Sequence, residues 1–185
     1  MRLLDVRRLG LVCAAVAVTA GMVVAGCAEQ VPGAATTDPA EVAAYKTSAA
    51  ASASAAAAAK AAAAQTKAIS DNCTQFPTTT GAGVTAFNEF VTAHDRNAPD
   101  YADKREAAAT TLDNAATKVE SGVTAAAGAM PTDLAEKFTA YVVAARELSA
   151  ETRKMTYSSQ VTRLNDASRK INQARTAVHD ACPSR

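Results

Sequence analysis

Tryptophan is absent from this chain of 185 residues, and phenylalanine and tyrosine number only four each. A core built on large rings is therefore excluded. Apolar residues make up 49% of the chain, but alanine dominates them. Burial stabilises at roughly 25 cal/mol per Å² of apolar surface, and an alanine side chain offers little of it. A second device, beyond apolar packing, is expected to help hold the fold. Excess charge of one sign is lacking too. The formal net charge is +1, which gives no basic footprint for nucleic acid. No strand-like alternation of apolar and polar residues appears anywhere, so the fold class expected is all-α.

Catalytic vocabulary is equally sparse. The chain has no HExxH, no glycine-rich phosphate loop, no EF-hand loop and no Ser-His-Asp arrangement in a recognisable local context. Its two histidines, His94 and His179, fall on or near apolar helical faces. His179, Asp180 and Cys182 could offer nitrogen, oxygen and sulfur to a metal, yet one His and one Cys do not make a zinc site without further ligands. Glu147 and Glu151 stand four apart, and Asp103 and Glu106 three apart. Acid–base work by such pairs needs a desolvated cleft. Here they alternate with Arg146, Arg153, Lys104 and Arg105, the pattern of a solvated helix face. No catalytic, cofactor-binding or metal residue is therefore assigned, and an enzyme is not expected.

What is present begins at the N-terminus. Arg2, Arg7 and Arg8 precede an uncharged apolar run from Leu11 to Ala25. That pattern fits an export signal, and the run is short of the about 20 residues a spanning helix needs. It ends in Val24-Ala25-Gly26-Cys27, which resembles the lipobox of bacterial lipoproteins: an aliphatic residue, two small residues, then cysteine. The resemblance covers residues 1–27. It implies removal of residues 1–26 and a diacylglyceryl group on the Cys27 thiol, with palmitate or a similar acyl chain. The mature protein would then sit on the extracytoplasmic face of the cell membrane, held by its lipid anchor. Two acyl chains suffice for stable anchoring, at ~0.8 kcal/mol per buried CH₂. Arg7-Arg8 hints at twin-arginine export, but the flanking residues fit general secretion better. With arginine outnumbering lysine and alanine and threonine abundant, the chain resembles the short, alanine-rich lipoproteins of actinobacteria, mycobacteria included. Loss of residues 1–26 leaves 16 basic and 17 acidic side chains.

Residues 27–38 form the lipidated end and a flexible tether rich in Pro, Gly and Thr, and Thr36 and Thr37 could carry sugar. A helical domain is expected over residues 39–185. Asp38-Pro39-Ala40-Glu41 carries the signals of a helix start: a capping aspartate, proline at the first helical position and a glutamate at the third. Ala50–Ala64 is almost pure alanine, the strongest helix former. This segment either packs closely through its small side chains or projects as a stalk, and its small side chains favour packing. A turn is expected from Cys73 to Gly81. Val84, Phe87, Val91 and His94 then share one helical face, and Asn97-Ala98-Pro99-Asp100 kinks the arm, with Asp100 capping the restart. Tyr101, Arg105, Ala108, Leu112, Ala115, Val119, Gly122 and Ala126 continue with coiled-coil spacing. After a reversal at Gly128–Pro131, the strongest stripe runs through Leu134, Phe138, Tyr141, Ala145, Leu148, Thr152 and Met155. It weakens over Thr156–Gln160 and resumes, shifted, at Val161, Leu164, Ala167, Ile171, Ala174 and Val178.

The expected architecture is an elongated antiparallel bundle of three long arms, the middle one kinked. Charge supports pairing of the last two. Residues 89–120 hold seven acidic and four basic side chains, and residues 146–175 hold three acidic and seven basic. This register would set Glu89 against Arg169 and Lys170, and Asp95 against Arg163. Once Cys13 leaves with the signal and Cys27 carries lipid, only Cys73 and Cys182 remain. A disulfide between them is expected in an oxidising compartment. The arms from Gly81 to Gly128 and from Pro131 to Ala181 would span about 72 and about 76 Å, which returns Cys182 to the level of Cys73.

These features suggest a membrane-anchored, non-catalytic envelope lipoprotein that acts as a scaffold or docks with another envelope protein. The alternative is a helical module that holds a small lipid or apolar ligand in a gap lined by Phe87, Phe90, Tyr101, Phe138 and Tyr141.

Overall fold

Asp38 opens the first helix as its sequence suggests. Its carboxylate accepts a hydrogen bond from the Ala40 amide at 2.8 Å, and its carbonyl accepts one from Val42. The computed structural model describes residues 38–183. The expected export signal, lipobox with Cys27 and tether up to Thr37 lie outside the described residues. By backbone contacts the chain divides into two units, residues 1–45 and 46–185. Of the first, residues 38–45 are described; they are exposed and, from Pro39, helical.

The described residues are all-helical, with no strand among them, and form four helices: α1 (Pro39–Asp95), α2 (Tyr101–Ala125), α3 (Thr132–Lys154) and α4 (Thr162–Ala181). Neighbouring helices run antiparallel. Lys104 on α2 bonds Glu89 on α1 at 2.7 Å. Arg146 on α3 grips Glu120 on α2 with two nitrogens, at 2.6 and 3.0 Å. Lys170 on α4 reaches Glu147 on α3 at 2.6 Å. A disulfide between Cys73 and Cys182, with Cα atoms 5.7 Å apart, closes the ring from α4 back to α1.

Three expectations are corrected. The anticipated turn at Cys73–Gly81 is helix, so α1 runs on for 57 residues with Pro77 inside it. A proline in a helix interior costs roughly 3 kcal/mol. Burial of Phe76, Thr80, Gly83 and Phe90 along one face of α1 opposes that cost, and the disulfide pins α1 one turn before Pro77. Second, the anticipated kink at Asn97–Asp100 is a full reversal. Asn97 adopts φ 50°, the Asn97 amide bonds the His94 carbonyl and the Ala98 amide bonds the Ala93 carbonyl. That is a Schellman stop with asparagine in the left-handed position, and Pro99 follows where a helix cannot continue. Asp100 stands at the α2 N-cap but makes no side-chain capping bond. Third, the weakened stretch after Met155 is also a reversal, held by Thr156 and Ser159. The three arms are thus four helices. Glu89 pairs with Lys104 rather than Arg169 or Lys170, and Arg169 with Asp166 on its own helix. No ion pair joins Asp95 to Arg163.

The core follows the predicted stripes closely. All seven residues from Leu134 to Met155 are buried, as are Tyr101, Ala108, Leu112, Ala115 and Val119 of α2. In α1 the buried face is shifted: Phe76, Thr80, Gly83, Phe90 and Ala93 are buried, whereas Val84, Phe87, Val91 and His94 are half-buried. Ala108, Ala109, Ala116, Ala145 and Ala167 are fully enclosed, and such small side chains let backbones approach closely. Ser149 uses that closeness to donate to the Ala109 carbonyl across α2 and α3 at 2.9 Å. The scarce rings fill the wider centre, where Phe76 packs edge-on against Phe138 and Tyr141.

The alanine-rich part of α1 does not join this core. Every residue from Lys46 to Lys67 is exposed, and burial starts at Ala68. The packing that its small side chains favour is therefore not seen. Alanine loses almost no side-chain entropy in a helix, so this stretch holds its conformation without a buried face.

Candidate functional site

The end of the bundle opposite the disulfide gathers most of the polar side chains set among the rings. Two reversals meet there, α1–α2 and α3–α4. The Tyr157 hydroxyl, on the second, donates to the Ala98 carbonyl on the first at 2.7 Å. Arg105 donates to the Met155 carbonyl at 3.0 Å. Tyr157 stacks on Tyr101 with centroids 4.4 Å apart, and the His94 ring lies 5.6 Å from Tyr101 and 5.9 Å from Tyr157. The Arg105 guanidinium sits 6.0 Å from the Tyr101 centroid, at the outer limit of a cation–π contact.

Three buried polar atoms in this cluster have no hydrogen-bond partner: His94 Nε2, the Tyr101 hydroxyl and Arg105 Nε. Burial raises the Tyr101 pKa, the Arg105 charge opposes that rise, and Tyr157 adds to it. Tyr157 and Val161 remain 48% and 43% exposed, so the cluster presents an aromatic and an aliphatic surface beside its buried polar groups. Sequence periodicity had placed Tyr101 and Arg105 in one stripe and His94 in another. Tyr157 was missed, because it lies in the reversal that interrupts the α3–α4 stripe.

The other residues singled out by sequence are dispersed. Glu147 and Glu151 bind Lys170 and Lys154. Glu106 binds Arg153, which also holds Asp113. His179 is exposed next to Asp180, and Cys182 is committed to the disulfide. Among the described residues no three His, Cys, Asp or Glu side chains gather as a metal set. Of the five rings proposed to line one apolar gap, Phe87 and Tyr141 border a shared cavity, while Phe90, Tyr101 and Phe138 do not line it. Phe138 and Tyr141 close on Phe76, while Phe87, Phe90 and Tyr101 form a separate chain with centroids 5.6 to 5.8 Å apart. No described helix is long and apolar enough to cross a membrane.

A family model for the Rv2240c four-helix bundle domain matches residues 54–183. The chain belongs to this family. The Rv2240c domain match takes in most of the alanine-rich stretch, all three reversals and both disulfide cysteines. Its mycobacterial name agrees with the actinobacterial character of the composition. Searches of curated proteins and of solved structures returned no match.

Proposed function

We propose that this Rv2240c-family chain is an extracytoplasmic lipoprotein, anchored through Cys27, that docks non-catalytically with another envelope protein. The observation that carries the reading is the Cys73–Cys182 disulfide. Structural disulfides persist in oxidising compartments, and the lipobox at Val24–Cys27 supplies the export route. The exposed helix from Lys46 to Lys67 fits a spacer. Its 22 residues rise about 33 Å at 1.5 Å per residue. It leads into the bundle at the disulfide end, which leaves the Tyr101–Tyr157 cluster at the far end, some 24 residues or about 36 Å further on. An exposed tyrosine beside an aliphatic side chain suits a protein contact, where rings and arginine are enriched.

The alternative, a lipid held between helices, has weaker support because the rings offered for it pack on one another. The docking reading is tested by photo-crosslinking in intact cells. A crosslinker at Tyr157 should yield a discrete adduct with one envelope protein, and one at Lys60 should yield none. Absence of any adduct from positions around the bundle surface removes the docking role.

A further inference from the structure

A cavity of about 80 Å³ lies between α1, α2, α3 and α4, walled by Phe87, Leu112, Leu148 and Ile171 and reached by Tyr141 and Arg175. Two of these groups, Tyr141 and Arg175, have polar atoms free to take a ligand. Tyr141 is 1% exposed, yet its hydroxyl makes no hydrogen bond to another described residue. The hydroxyl is not among the sealed partnerless atoms, which are His94 Nε2, the Tyr101 hydroxyl and Arg105 Nε, so it opens on the cavity and is free to donate. Arg175 is half-buried and has no carboxylate within ion-pair distance among the described residues. No Asp or Glu lines the cavity, and the polar side chains beside these two include the Thr80 and Ser168 hydroxyls. Arg175 also borders an outer groove of about 350 Å³ between α1 and α4, so it stands at the doorway from solvent to the cavity.

We propose that this cavity binds a short aliphatic carboxylate, with its oxygens on the Arg175 guanidinium and the Tyr141 hydroxyl and its alkyl tail against Phe87, Leu112 and Ile171. A guanidinium fork matches a carboxylate in plane and charge. Burial pushes the Tyr141 pKa up to about 12, with the Arg175 charge opposing, so the phenol is a neutral donor at physiological pH. The size selects the tail. An apolar cavity of about 150 Å³ takes a benzene ring, so this one fits a chain of roughly three or four carbons and excludes a lipid acyl chain. Inorganic phosphate has no alkyl part to cover the Phe87, Leu112 and Ile171 walls. The inference stands apart from the docking role, and either can fail without the other.

The test is an NMR titration of carboxyl-labelled butyrate into the full-length protein in detergent micelles, beside butanol and inorganic phosphate. Butyrate should bind saturably and more tightly than either control. Arg175→Gln should weaken it roughly tenfold or more, as for loss of a charge-assisted contact, and Arg175→Lys should recover part of that. Ser168→Leu, which fills the cavity and keeps the charge, should also abolish binding, with circular dichroism confirming that each variant stays helical. The proposal is overturned if butyrate does not bind the native protein, if either control binds as tightly, or if binding survives Arg175→Gln or Ser168→Leu.

Discussion

Replacing Cys73 and Cys182 together by serine removes the covalent link between α1 and α4. The two cysteines are 109 residues apart in sequence. In the chain-entropy model a loop of about 100 residues is worth ~4.7 kcal/mol, taken from the unfolded state. Each kcal/mol shifts the melting temperature of a domain near this size by about 4 °C, so the double variant should melt about 15–20 °C lower. Both cysteines are only partly buried, so serine adds little penalty of its own. The loss should also be uneven. Beyond the bridge, α1 and α4 contribute chiefly Phe76 and Val178 to the disulfide end of the core, whereas α2, α3 and the reversal between them bury Val119, Met130, Leu134 and Phe138. Amides near Ala68–Phe76 and Val178–Ala181 should therefore lose hydrogen-exchange protection before those of α2 and α3. Thermal melting followed by circular dichroism, with peptide mapping to establish that the native sample is bridged, measures the effect. A shift below about 5 °C in a bridged protein would refute the view that the staple compensates for a core poor in large side chains.

Two further outcomes follow from close packing and from burial. Gly83→Ala would bring a Cβ to 3.2 Å from Leu112 Cδ2, the tip of a buried side chain that borders the cavity beside Gly83 and has room to give by a few tenths of an ångström. Gly122→Ala would meet Asn72 Oδ1 at 2.3 Å, so the Asn72 side chain must swing out and give up its hydrogen bond to the Ala68 carbonyl. Overpacking costs about 1–3 kcal/mol and alanine regains about 1 kcal/mol of helix propensity over glycine. Urea titration should therefore find Gly122→Ala the more destabilising of the two and Gly83→Ala near neutral; the reverse order would contradict the packing. Tyr141 has its pKa raised by burial from 10.0 to about 12. Because the folded value is the higher one, its contribution is intact below pH 10 and lost as pH rises through the folded value. At 1.36 kcal/mol per unit this amounts to roughly 2–3 kcal/mol. Alkaline urea titrations should show that loss in the native protein and much less of it in Tyr141→Phe.

The sequence was most informative where period and chemistry agreed. The Leu134–Met155 stripe is buried at every position read from it, because α3 packs between α2 and α4. The disulfide was legible by elimination, although the chain reaches it differently. Each long arm folds back on itself at its weak point, and since both do so, Cys182 still returns to Cys73. The misreadings have local causes. Pro77 and the threonines after it look like a turn, and only the burial of Phe76 and Phe90 with the bridge at Cys73 keeps that segment helical. Asn97 two residues before Pro99 was a readable stop, but the apolar spacing on either side suggested a continuing arm. Tyr157 and the Arg175–Tyr141 cavity were not legible. The first lies in a break between stripes, and the second is set by helix register, which charge pairing misassigned.

The central claim is that this four-helix bundle is displayed outside the cell on a lipid, and labelling of Cys27 tests it most directly. Cells fed labelled palmitate should incorporate it into the native chain, whose mature N-terminal peptide should begin at an acylated Cys27. Cys27→Ala should accumulate as an unlabelled precursor that retains residues 1–26. Equal labelling of the two proteins, or a native N-terminal peptide without lipid, would contradict the account.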